Sequence, residues 1–311
     1  MTSQDQDLST TLADGRTLSY TSYGTAIDPG RPTLFYLHGF PGTHHEGLPV
    51  HEACIKRAIT VIGITRPGFG RSTHQKDRSI LSFVDDVVHL ADHLDIKRFA
   101  ILGISGGGPY ALACLHAIPA DRLVAVAVVS SVWPVSLGMV GMMMSNRILF
   151  TLAPWAPNIV KWIVDRELGG PAMDTEHPER FQHLMTQGFK RWPQEDQDVI
   201  FGNGGAMLDI LTRSSREAIK DGTQGFALEA KLFGNPWGFA LEHLPVDDGR
   251  LVIWHGAKDI NIPVFMADQA SKLMHGAEYR RYKDEAHLSL CVKYTDNILD
   301  FVEGRLKASA D

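Results

Sequence analysis

The sequence predicts an α/β fold: a mostly parallel, doubly wound sheet with a block of helices inserted after the sixth strand. Three observations carry this. Short β-rich runs alternate with segments of helical periodicity, which implies parallel strands joined by right-handed crossovers. Most of those runs are continuously apolar instead of alternating, as in a sheet covered on both faces. The rhythm then stops between Val132 and about Leu244, where Trp, Met, Pro and Gly are frequent and no strand-like run occurs.

The elements follow in order. Thr17 to Tyr23 alternates (Leu18, Tyr20, Ser22) and suits an antiparallel edge strand. Thr33–Leu37 is the first continuous run. It exits into the Gly/Pro loop His38-Gly39-Phe40-Pro41-Gly42, and a mixed segment from Gly47 to Ala58 follows. Ile59 to Ile64 leads into the turn Arg66-Pro67-Gly68-Phe69-Gly70. Ile80 to Leu94 places Leu81, Val84, Val87, Val88, Ala91 and Leu94 at helical spacing. Phe99–Leu102 is a strand, and Tyr110 to Ala117 forms helix after an intervening turn. Leu123 to Val129 is almost wholly apolar and β-branched. Ile159–Glu167, Pro178–Gly188 and Gly205–Ile219 read as the inserted helices. Leu251–Trp254 resumes the sheet, Tyr279–Tyr282 is a short polar strand, and Leu288 to Leu306 is helical. The division is a core of residues 1–131 and 245–311 and a helical cap of 132–244.

Bulk properties exclude some functions. In 311 residues, 44% hydrophobic and 21% charged content is ordinary for a globular protein. A net charge of −6 without a basic run gives no footprint for nucleic acid. Cys54, Cys114 and Cys291 are odd in number and widely spaced, suggesting buried free thiols and a reducing compartment. The polar, acidic Met1 to Leu8 is no signal peptide, Ala308 to Asp311 is no obvious address, and no apolar stretch is long enough to span a membrane. The expected location is cytoplasmic.

The chemistry centres on Gly103-Ile104-Ser105-Gly106-Gly107. A strand that turns sharply into a helix at the central serine of G-x-S-x-G is a nucleophile elbow. The glycines relieve crowding around a strained turn. Such a serine needs a base, an acid to orient it and donors for an oxyanion, all from loops at the carboxyl ends of strands. Asp259 follows Leu251–Trp254 and is the candidate acid; Pro263 then opens a helix. His287 follows the last strand and is the candidate base, giving the chain order Ser…Asp…His. His255 competes as base, and Asp284 and Glu285 compete as acids. The amide of Gly106, directly after the nucleophile, and that of Phe40, in the loop after Thr33–Leu37, are the candidate oxyanion donors.

These motifs together resemble the α/β-hydrolase fold of the capped, epoxide-hydrolase-like and C–C-hydrolase-like kind. The resemblance rests on His38 to Gly42, Arg66 to Ser72, Gly103 to Gly107, Gly256-Ala257-Lys258-Asp259 with Pro263, and Ala286-His287. It spans roughly residues 15 to 308. It implies a serine hydrolase with the triad Ser105, Asp259 and His287. The sequence departs from the pattern at three places. Epoxide hydrolases and dehalogenases carry aspartate at the elbow, so Ser105 argues against their alkyl-enzyme chemistry. Thr65 stands where relatives usually have aspartate, which affects a local turn contact. Phe40 departs from the His-Gly-Gly-Pro-Gly of proline iminopeptidases.

The expected substrate is a mid-sized apolar ester, lactone or thioester. Phe40, Ile104, Trp133, Met143 and Trp155 are its candidate contacts, since aromatic and methionine side chains make adaptable walls. The alternatives are a C–C bond hydrolase, an acyltransferase or cyclase using the same triad, and a non-catalytic ligand-binding protein. The Met-rich segment could instead serve a homodimer contact or access to a membrane surface. No metal or organic cofactor is implied. His44, His45 and His51 read as surface or supporting residues, because no carboxylate stands near them at ligand spacing.

Overall fold

In the computed structural model, residues 7–308 are described. The terminal segments read above as neither signal nor address therefore lie almost wholly outside the described residues. The strands are Leu8–Thr11 (β1), Thr17–Gly24 (β2), Thr33–Leu37 (β3), Thr60–Ile64 (β4), Phe99–Ile104 (β5), Leu123–Val129 (β6), Leu251–Gly256 (β7) and Glu278–Tyr282 (β8). They form one sheet in the order β1-β2-β4-β3-β5-β6-β7-β8. β2 is antiparallel to both β1 and β4, and the remaining pairings are parallel. This is the α/β-hydrolase fold.

Thr17–Tyr23 is a strand, as its alternation requires, but it is not the edge. β1 covers it, pairing Leu8 with Tyr20 and Thr11 with Thr17. Four residues reading Leu-Ser-Thr-Thr carry too little apolar pattern to announce a strand.

β3 to β7 are buried at every position. Successive side chains point to opposite faces of a sheet, and the two faces have separate cores. Phe35, Ile62, Ile101 and Ile253 pack on one side. Leu34, Val61, Leu102, Val252 and Trp254 pack on the other. His51–Lys56 (α1), Phe83–His93 (α2) and Gly108–Ala117 (α3) are the helices of the first half. α2 and α3 cover the first face.

Between β6 and β7 every regular element is helical: Met144–Leu152 (α4), Pro157–Val164 (α5), Gly170–Met173 (α6), Pro178–Phe189 (α7), Gln194–Phe201 (α8), Ala206–Ile219 (α9) and Gln224–Phe233 (α10). Phe181, Ala218, Ile219, Phe226 and Ala230 form a third core with Phe69 of the sheet domain. Proline at the first turn of α5, α6 and α7 starts these helices.

After β7 come Val264–Leu273 (α11), His287–Lys293 (α12) and Thr295–Ala308 (α13). The single helix expected over Leu288 to Leu306 is two. The Thr295 hydroxyl donates to the carbonyls of Cys291 and Val292 where the break falls. Among the described residues no helix is long and apolar enough to cross a membrane.

Candidate active site

Ser105 stands directly after β5, with α3 beginning three residues later. Its φ is 52°, a left-handed conformation that strains a non-glycine residue. Space for the turn comes from its neighbours. A Cβ on Gly107 would lie 2.1 Å from the Leu37 carbonyl oxygen, and one on Gly106 would lie 2.7 Å from the Phe40 Cβ and 3.2 Å from its nitrogen. The Gly106 and Phe40 backbones thus converge beside Ser105.

His287 opens α12, and its Nδ1–H donates to Asp259 Oδ2 at 2.7 Å. The other Asp259 oxygen accepts the amides of Asn261 and Ile262 at 2.8 and 2.9 Å. Both side chains are buried. Burial pulls the His287 imidazole down, but the charge and hydrogen bond of Asp259 outweigh it, with smaller help from Asp196 and Glu46. Its pKa lies above the ordinary histidine value. The loop after β6 joins the two parts: the Val132 amide donates to the Ser105 carbonyl and the Ser130 hydroxyl to the His287 carbonyl.

The rivals are occupied elsewhere. His255 Nε2–H donates to the Ile262 carbonyl at 2.8 Å and lies 3.6 Å from Asp259, and its burial lowers its pKa. Glu285 pairs with Lys293, and Asp284 is exposed.

The loop carrying Phe40 is held by opposite charges. Arg66 is wholly buried. Its guanidinium donates to the carbonyls of His38 at 2.5 Å and Gly39 at 2.7 Å, and to Glu229 of α10. Glu229 also receives Arg78 and the Tyr110 hydroxyl. Burial would raise the Glu229 pKa, but the two guanidiniums hold it below the ordinary carboxylate value. On the loop's other side, Glu46 accepts the Gly39 amide at 2.6 Å and the Ser214 hydroxyl of α9 at 3.1 Å. Burial raises its pKa.

A cavity of about 300 Å³ opens between the sheet domain and α9. Its walls include Tyr36, Val50, Ile104, Ile210, Leu211 and Leu288, with the Glu46 carboxylate among them. Ile104 and Leu288, two of these residues, are the chain neighbours of Ser105 and His287. Of the five expected substrate contacts, Ile104 lines the cavity. Phe40 packs against Phe226 and Phe233 beside the elbow. Trp133 is fully buried in the core, Met143 is tied by its amide to the Ile260 carbonyl, and Trp155 is 88% exposed. Glu46, Asp196 and Glu229 were not legible in the sequence. No local pattern marks them: Arg66, which balances Glu229, stands in a Gly/Pro turn, and Arg78 in the polar run Ser72 to Ser79.

The three early histidines are buried, which corrects their reading as surface residues. Gly63 leaves room for the His44 backbone and Cβ. His44 Nε2 lies 2.8 Å from Asp7, whose carboxyl the contact holds down at about 2. Asp7, His44 and His45 offer ligand-type atoms within 4.8 Å of one another. The His51 ring accepts the Gly24 amide.

The profile of the alpha/beta hydrolase family matches residues 34–291. The chain belongs to that family. It is 33% identical over 96 residues to the uncharacterized hydrolase YcgS of Bacillus subtilis (strain 168), a match covering 31% of this chain and 32% of that protein. The chain thus aligns with about a third of that relative's length. An esterase from Exiguobacterium antarcticum has a similar structure, with TM-score 0.64 and 14% identity over 98% of this chain and 100% of that one. The enol-lactonase from Burkholderia xenovorans LB400 has TM-score 0.65 and 18% identity, covering 95% and 99%. A meta-cleavage product hydrolase, the CumD A129V mutant, has TM-score 0.63 and 16% identity, covering 97% and 98%.

Proposed function

We propose that this protein is a serine hydrolase that cleaves a mid-sized apolar ester, lactone or thioester through an acyl-enzyme at Ser105. The carrying observation is the 2.7 Å hydrogen bond from His287 Nδ1 to Asp259. It fixes the tautomer that leaves Nε2 with a lone pair. In this mechanism Nε2 takes the Ser105 proton as Oγ bonds to the substrate carbonyl carbon. The amides of Phe40 and Gly106 hold the oxyanion. The intermediate collapses, the leaving oxygen or sulfur takes the proton from His287, and the acyl group stays on Oγ. Water, deprotonated by His287, then releases the acid. Residues 132–244 act as the cap over this site, and the setting is cytoplasmic.

The esterase and enol-lactonase likeness supports carbonyl chemistry of this kind. A second reading, C–C bond hydrolysis with the same residues, is favoured by the meta-cleavage product hydrolase likeness. Two experiments test the proposal. A fluorophosphonate probe should label the wild type and not Ser105→Ala. Turnover of p-nitrophenyl esters, lactones and β-diketones should favour the first two. A folded wild type that takes no label would end the serine-nucleophile reading, and turnover confined to β-diketones would replace the ester reading with the second.

A further inference from the structure

We infer that the inserted stretch Trp192–Asp196 positions the base His287, with Asp196 as its central residue; this rests on the reading of His287 as general base. α12 begins after Ala286, a residue with no side-chain acceptor for the free amides of a helix start. Asp196, more than ninety residues earlier and fully buried, fills that role. Its Oδ1 accepts the amides of Leu288 at 2.8 Å and Ser289 at 2.9 Å, and its Oδ2 accepts that of His287 at 3.2 Å.

The same stretch touches the rest of the apparatus. The Trp192 ring meets the His287 imidazole edge-on, centroids 5.7 Å apart at 89°. Glu195 pairs with Lys258, the residue before Asp259. Five consecutive residues thus hold the base's helix, its ring and the acid's loop.

A neutral serine or asparagine would satisfy helix amides. A buried carboxylate does more, because its charge also favours the imidazolium. The ionisable groups facing the His287 ring are Asp259 after β7, His255 on β7, Glu46 after β3 and Asp196 on α8, and Cys291 on α12 donates to the His287 carbonyl. Asp196 is the carboxylate among them supplied by the inserted helices. Removing its charge moves the His287 pKa down, so the acid limb of the rate profile moves to lower pH.

The test compares wild type with Asp196→Asn, Asp196→Glu and Ser105→Ala, using p-nitrophenyl butyrate turnover and fluorophosphonate labelling across pH. Asp196→Asn should lower kcat about 10- to 100-fold with a smaller change in KM, as expected for a base displaced by a fraction of an ångström. Its acid limb should move down by about half a pH unit or more. Asp196→Glu should restore the limb in part. A folded Asp196→Asn with wild-type kcat and an unmoved limb, altered only in Tm, would overturn the inference and leave the nucleophile reading standing. If the wild type takes no label, both fall. Should Asp196→Asn not fold, Trp192→Leu, at a part-exposed position, carries the test: slower labelling by about threefold or more supports the inference, and wild-type labelling overturns it.

Discussion

Ser105 sits at φ 52°, where a side chain costs about 1–2 kcal/mol relative to glycine. The strain serves the turn and not the core, so relieving it separates stability from activity. Ser105→Gly should raise stability by about 0.5–1 kcal/mol while abolishing turnover; Ser105→Ala should abolish turnover without that gain. Urea melts of the two variants check this, and equal stabilities would show that the turn is not strained. His287 supplies the second prediction at this scale. Its pKa is raised, and the proposed base acts only when neutral, so activity is lost as pH falls through the raised value. The acid limb of kcat/KM should therefore have its midpoint above the ordinary histidine value of about 6.5. A pH–rate profile reads this directly, and a midpoint at or below that value would place the titration on another group.

At the scale of elements, the inserted helices and the sheet domain share a buried ion cluster. Glu229 of α10 meets Arg66 after β4 and Arg78, all at or near zero exposure. Buried ion pairs cost desolvation, and removing one partner leaves a charge without compensation. Glu229→Gln leaves two guanidiniums facing an amide and should cost about 3–5 kcal/mol, measured by urea unfolding. It should also lower activity, because Arg66 holds the His38 and Gly39 carbonyls next to the Phe40 amide. A neutral outcome would mean that Arg66 finds another anchor. These ties explain what could be read from the chain. Strands such as Leu123–Val129 were legible because burial on both faces writes a continuous apolar run. The positions of the candidate residues Ser105, Asp259 and His287 were legible because each follows a strand end. Asp196, Glu229 and Glu46 leave no such mark. Their partners lie seven to more than a hundred residues away, so nothing near them in the chain announces burial before the packing is known. Thr65-Arg66 looked like a local turn contact because the residue that balances Arg66 is 163 positions further on.

Across the whole molecule, the tryptophans of the inserted stretch do not wall the cavity between α9 and the sheet. Trp133 went into the core and Trp155 and Trp162 to the outside, at 88% and 62% exposure. The cavity next to Ile104 is walled instead by Met207, Ile210 and Leu211 of α9 facing Tyr36, Val50 and Leu288. At about 300 Å³ the cavity is at the small end of ligand sites, so acyl length should be limited by α9. Ile210→Trp fills space that a longer acyl chain would need and leaves the elbow and both amide donors untouched. Each methylene that no longer fits is worth about 1–3 kcal/mol of discrimination. Across a series of p-nitrophenyl esters, the variant should hydrolyse the acetate within about threefold of wild type and the octanoate at least about tenfold more slowly. Ile210→Ala should shift the profile the other way. If both variants keep the wild-type chain-length profile, the acyl group does not enter between α9 and the sheet. If the acetate rate falls as steeply as the octanoate rate, the tryptophan has disturbed the Glu46–Ser214 contact that ties α9 to the loop carrying Phe40, and the loss belongs to the chemistry instead of the pocket.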